Sequence, residues 1–202
     1  MRKIVAGLVI AVGLASHVQA AGDPEAGQAK AAVCTACHGA DGNSMVPNFP
    51  KLAGQVARYT VDQLTQIKSG ARVVPEMMGI VDNLTQQDME DLAAYYASQK
   101  GSVGAANAEL VEVGKALYRG GNLAKNVPAC AACHMPTGQG NGPAAYPKLG
   151  GQHAVYIAGQ LEKFRKGERQ TDGDTRIMRD IAAKLSDAEI QAVASYISGL
   201  HP

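Results

Sequence analysis

The chain has no tryptophan and only two phenylalanines, Phe49 and Phe164. Phenylalanine and tryptophan therefore supply little core bulk, and no array of rings is present for stacking nucleic-acid bases. A net charge of +1 at pH 7 also removes the basic footprint that nucleic-acid binding requires. After the first 20 residues, no segment is long and apolar enough to span a bilayer. All four cysteines lie inside two short motifs, so none remains for a disulfide framework. Histidine is equally scarce, and His38 is the only one between residues 21 and 104.

The N-terminus has the order of a secretory signal. Basic Met1-Arg2-Lys3 precedes an apolar stretch from Ile4 to Ala15, and Val18-Gln19-Ala20 offers a small-residue cleavage site. Residues 1–20 are expected to be removed on export, and the mature chain to begin at Ala21 in the periplasm. A retained membrane anchor is the rival reading, which the alanine-rich boundary disfavours.

The two cysteine motifs are Cys34-Thr35-Ala36-Cys37-His38 and Cys130-Ala131-Ala132-Cys133-His134. This spacing provides two thiols for thioether bonds to the vinyl groups of a c-type haem and an adjacent histidine to coordinate its iron. Two covalent haems are expected, held by Cys34, Cys37, Cys130 and Cys133. A four-cysteine zinc site is the main rival. It gives no reason for a histidine after each second cysteine. A dithiol redox pair would call for a βαβ context, and the flanks read as helical. Haem would also supply the bulk that the missing aromatics do not.

An internal repeat sets the domain count. Pro50-Lys51-Leu52-Ala53-Gly54-Gln55 matches Pro147-Lys148-Leu149-Gly150-Gly151-Gln152. At the same offset of 97, Tyr59, Gln63 and Gly70 match Tyr156, Gln160 and Gly167. At an offset of 101, Met77, Leu84, Asp88 and Tyr95 match Met178, Leu185, Glu189 and Tyr196. The change places a four-residue insertion before the second methionine. Leading helices are expected over 24–36 and 109–119, with Asp23-Pro24 as a helix start. Middle helices are expected over 56–69 and 153–166, stopped by Gly70 and Gly167. Closing helices start at Thr85 and Ser186, with Asp88 and Glu189 completing capping boxes. The fold class is all-α, with domains at 21–104 and 105–202 joined by the small-residue stretch 101–106.

His38 and His134 are the expected proximal ligands, their other ring nitrogens donating to an acceptor. The first domain has no second histidine, so its sixth ligand comes from Met45, Met77, Met78 or Met89. Met77 is preferred because the repeat pairs it with Met178, whereas Met78 pairs with Arg179; Met78 remains its adjacent competitor. In the second domain Met178 is preferred over Met135, which follows the proximal histidine, and over His153 and His201. Methionine favours ferrous iron and closes the sixth position, which points to outer-sphere electron transfer rather than catalysis.

Pro50 and Pro147 are expected to shape the loop at the histidine face. Tyr59 and Tyr156 either direct hydroxyls toward haem propionates or water, or pack as ordinary amphipathic residues. Tyr95 and Tyr196 are expected to pack the closing helix on the leading one. Residues 21–104 carry six basic and nine acidic side chains, and residues 105–202 carry eleven and nine. The contrast can orient redox partners. Lys163, Arg165, Lys166, Arg169, Arg176 and Arg179 offer a docking rim, against the plainer reading of a solvated surface.

On the paired motifs, the run Asn48 to Gln55, the run Tyr146 to Gln152, and Asp172-Gly173-Asp174-Thr175 before Arg176-Ile177-Met178, the chain resembles the cytochrome c4 family over its mature length. The resemblance implies two tandem class I cytochrome c-like domains, each packed around a covalent haem held by His and Met. It also maps the distal ligands onto Met77 and Met178. The expected role is periplasmic electron transfer from a cytochrome bc1-type quinol-oxidising complex to a terminal oxidase, without bond chemistry. The expected state is a monomer that binds no nucleic acid, with peripheral membrane association left open. The alternatives are a dihaem peroxidase-like enzyme and a cytochrome subunit of a membrane enzyme.

Overall fold

The computed structural model describes residues 22–201, so the signal segment and its cleavage site lie outside the described residues. The first half contains α1 (Pro24–Lys30), α2 (Thr35–His38), α3 (Ala57–Lys68) and α4 (Gln86–Ser98). The second contains α5 (Val111–Gly120), α6 (Ala131–His134), α7 (Ala154–Arg165), α8 (Ile177–Ala182) and α9 (Asp187–Ser198). Strands are absent among the described residues, apart from two isolated bridges. No described helix is long and apolar enough to cross a membrane.

The helix boundaries follow local chemistry. Asp23 accepts from the backbone N–H groups of Glu25 and Ala26, and Pro24 occupies the first turn of α1. Thr85 with Asp88 and Ser186 with Glu189 form complete capping boxes on α4 and α9. Gly70 and Gly167 follow α3 and α7 with φ of 77° and 72°, the left-handed geometry that stops a helix. The expected leading helix 24–36 divides. After α1 the chain tightens into a 3₁₀ turn, Ala31–Cys34, then resumes as α2 through His38. The second copy differs more, because residues 121–129 leave the helix at Gly121 and carry an Asn122–Val127 bridge before α6.

Closing helix α4 packs on α1 and α3, and α9 packs on α5 and α7. Glycines permit the closest approach. A Cβ on Gly27 would lie 2.0 Å from Asp91 O, and one on Gly114 would lie 2.2 Å from Ala192 O. Tyr95 and Tyr196 cover these two glycines and so pack closing helix against leading helix, as expected. The second half gathers Leu117, Tyr118, Ile190, Val193 and Ile197 into a larger buried apolar cluster, while the first half's cluster has Ala31, Leu92, Tyr95 and Tyr96 as its buried members.

The connector is held along its length. Ser102 N–H donates to Asn43 Oδ1 at 2.7 Å, and Gly104 N–H donates to Ser198 O at 3.1 Å. Its small residues therefore allow close docking between the halves rather than slack.

Candidate functional site

Each histidine ends a short helix and is 7% exposed. His38 Nδ1 lies 2.9 Å from Pro50 O, and His134 Nδ1 lies 3.0 Å from Pro147 O. A carbonyl only accepts, so each Nδ1 carries the proton and each Nε2 keeps a lone pair for a metal. Burial pushes both imidazoles below the ordinary histidine value, against the carbonyl bond that raises them. The matched prolines thus supply the backbone acceptors that fix both tautomers.

The turn after each histidine has positive φ. Gly39 fills it in the first half, and Met135 fills it in the second with φ 68° and ψ 158°. That region is essentially reserved for glycine, so Met135 is strained. Tyr118 holds it by donating to Met135 O at 2.8 Å.

A continuous cavity of about 780 Å³ runs through both halves. Cys34, Cys37, His38 and Met77 line it from the first half, and Cys130, Cys133, His134 and Met178 from the second. The other methionines stand apart from it. Met45 and Met78 are 90% and 72% exposed, Met89 is buried in the α3–α4 contact beside Thr65, and Met135 is the turn residue just described. His153 Nε2 approaches Ser44 Oγ at 2.9 Å and Ser44 O at 3.0 Å, outside the cavity lining. His201 is exposed. Met178 sits in α8 rather than in an open loop. Asp172 pins the preceding turn, accepting from Arg179 N at 2.9 Å and Arg179 Nε at 2.7 Å.

The rival uses of the thiols lack support in this geometry. Among the described residues, no three His, Cys, Asp or Glu side chains gather into a metal-binding group, so the four thiols do not form one tetrahedral site. Burial pushes the Cys34 thiol up and the Cys130 thiol up to about 11, opposite to the low value of a reactive dithiol. Paired thiols, a lone imidazole nitrogen and a thioether around an apolar cavity do fit a haem in each half.

The structure corrects the proposed docking rim. Arg169 is 6% exposed and turned inward. Arg165 pairs with Asp187, Arg176 with Asp180, and Arg179 with Asp172. Nearby carboxylates thus match three of the six cations, and a fourth, Arg169, leaves the surface. The short connector 101–106 leads one to expect the halves to be close and in contact, but the residues that make the contact, which lie in the repeated Pro-Lys-Leu runs, were not singled out. Gln55 accepts from Lys148 N at 2.7 Å and donates to Lys148 O at 3.0 Å. Gln152 does the same with Lys51, at 2.9 Å both ways. The two matched runs thus face each other through reciprocal contacts.

The Cytochrome c family matches residues 24–100 and again 111–201. With a CxxCH motif in each match, the chain is a c-type cytochrome with two covalently attached haem c groups and serves as an electron carrier. Cytochrome c4 of Pseudomonas aeruginosa is 58% identical over the full length of both chains. The crystal structure of reduced recombinant cytochrome c4 from Pseudomonas stutzeri superposes with a TM-score of 0.88, at 58% identity over 90% of this chain and 100% of that one. The chain belongs to the cytochrome c4 family. A thiosulfate dehydrogenase electron acceptor of Stutzerimonas stutzeri is more distant, at 40% identity over 84% of this chain and 80% of its own.

Proposed function

We propose that the chain carries electrons between periplasmic redox partners through two closed His–Met haem centres, one in each of the units 21–104 and 105–202. Cys34 and Cys37 would hold the first haem and Cys130 and Cys133 the second. His38 and His134 would bind the irons through their Nε2 atoms, and Met77 and Met178 would bind them through their thioethers. The observation that carries this reading is the single cavity lined by both histidines and both repeat-matched methionines.

When bound, each haem supplies a one-electron iron couple. The residues define its setting. Pro50 O and Pro147 O orient the imidazoles and raise their basicity as ligands. The soft thioethers of Met77 and Met178 favour the reduced state, and with both in place no position remains open for a substrate. The reading is therefore of a carrier rather than an enzyme. Export to the periplasm follows from the N-terminal signal and from the site where c-type haems are attached.

For the physiological chain we propose a cytochrome bc1-type donor and a terminal oxidase acceptor, as the family resemblance implies. A second reading, favoured by the thiosulfate dehydrogenase electron acceptor among the relatives, is direct reduction by a periplasmic dehydrogenase.

The test is optical and magnetic spectroscopy of the intact protein during a redox titration. Two low-spin centres with the thioether-to-ferric-iron absorption band are expected. A high-spin resting haem, carbon monoxide binding without denaturation, or rapid peroxide turnover would overturn the closed-site reading.

A further inference from the structure

Arg72 and Arg169 are matched by the repeat offset of 97, and both line the shared cavity. Each reaches into the other half. Arg72 Nη2 donates to Tyr156 OH at 2.9 Å and to Gln160 Oε1 at 3.3 Å, while its Nη1 donates to Gln63 Oε1 at 2.9 Å. Arg169 Nη2 donates to Tyr59 OH at 2.9 Å and Gln63 Oε1 at 3.0 Å, and its Nη1 to Gln160 Oε1 at 2.8 Å. The two guanidinium groups therefore share both glutamines across the boundary.

Every one of these acceptors is neutral. No carboxylate among the described residues pairs with either guanidinium, although the half-buried Arg179 has Asp172. Arg169 adds only Thr171 and the face of Phe164, 4.6 Å from the ring centre. Two cations that share the same glutamines, Arg169 buried and Arg72 half-buried, are disfavoured without an anion. The donors are not exhausted either: Arg72 keeps its Nε–H, and each arginine keeps an Nη1–H. The local field acts on the tyrosines too. Burial would push the Tyr59 phenol up, yet the Arg169 and Arg72 charges outweigh it and leave it lowered.

We propose that Arg72 and Arg169 form one cationic clamp for the propionate carboxylates of both haems, so that each haem's potential depends on arginines from both halves. The inference rests on the haem placement proposed above. An arginine fork matches a carboxylate in shape and charge, and the cavity is where such carboxylates would enter. A positive charge near an iron favours its ferrous state. Because Gln63 and Gln160 are each shared, displacing one guanidinium disturbs the other.

The test is a redox titration of the full-length dihaem protein, with the two midpoints resolved through the haem methyl resonances. Arg72→Gln and Arg169→Gln should each shift both midpoints downward, including that of the haem in the opposite half. Arg72→Lys and Arg169→Lys, gentler on folding, should shift both in the same direction by less. A shift confined to the substituted half, or unmoved midpoints beside an intact low-spin spectrum, would overturn the clamp while leaving the ligand assignment standing. A high-spin spectrum in the unsubstituted protein would instead overturn the ligand assignment and the clamp with it.

Discussion

Replacing Gly114 with alanine sets two principles against each other. Gly114 is buried within α5, and helix propensity alone predicts that alanine stabilises the protein by about 1 kcal/mol. The packing predicts the reverse. The new Cβ would stand 2.2 Å from Ala192 O and 2.7 Å from Tyr196 Cβ, on backbone and side-chain stem that cannot rotate away. Relief needs α5 and α9 to separate by about 1 Å, but α9 is wedged against α7 on its other side through a close-packed interior. Overpacking of this kind costs about 1–3 kcal/mol, and a clash on backbone belongs at the upper end. After the propensity gain, the net loss is about 2 kcal/mol, or about 4–8 °C in thermal midpoint for a chain of this size. Thermal unfolding of the haem-loaded protein by circular dichroism measures it. Gly120→Ala is the control, exposed with nothing within 4 Å, and should leave the midpoint unchanged or slightly raised. A Gly114→Ala midpoint at or above that of the unsubstituted protein would refute the close-approach argument.

Met77→Ala should abolish the thioether-to-iron absorption band of the first haem, while Met78→Ala, at a side chain 72% exposed, should leave it intact; the reverse result would exchange their roles. Gln152→Leu strips both partners from the Lys51 backbone across the boundary and should cost about 1–3 kcal/mol in urea unfolding; no measurable change would mean that water replaces the amide. Asp91, chiefly through its bond from Lys30, and Glu189, chiefly through its bond from Lys125, are each lowered to about 2. Because their folded values lie below the unfolded values of about 4, their stabilisation is complete above that range. It is lost as pH falls from about 4 toward about 2. Lys30→Met and Lys125→Met should flatten this acid limb of stability, and an unaltered limb would show that these pairs do not set it.

Much of this chain is legible from residues close together in sequence. Two CxxCH motifs point to the thiols and histidines proposed to hold the haems, because covalent attachment needs neighbouring side chains at a set spacing. The capping boxes at Thr85 and Ser186, and the stops at Gly70 and Gly167, were legible because helix ends are satisfied by residues a turn away. The repeat singled out Met77 and Met178 without a contact in view. Tertiary structure decided what depends on surfaces meeting. Gly27 and Gly114 look like weak points in helices until α4 and α9 are laid against them. Pro50 and Pro147 look like turn residues until their carbonyls meet the imidazoles. Arg169 reads as part of an exposed basic cluster, yet the fold turns it inward to Tyr59 and Gln63 in the other half. A repeat states that two segments are alike, and only folding brings them face to face, so the matched Pro-Lys-Leu runs mark the residues between the halves without showing that they pair.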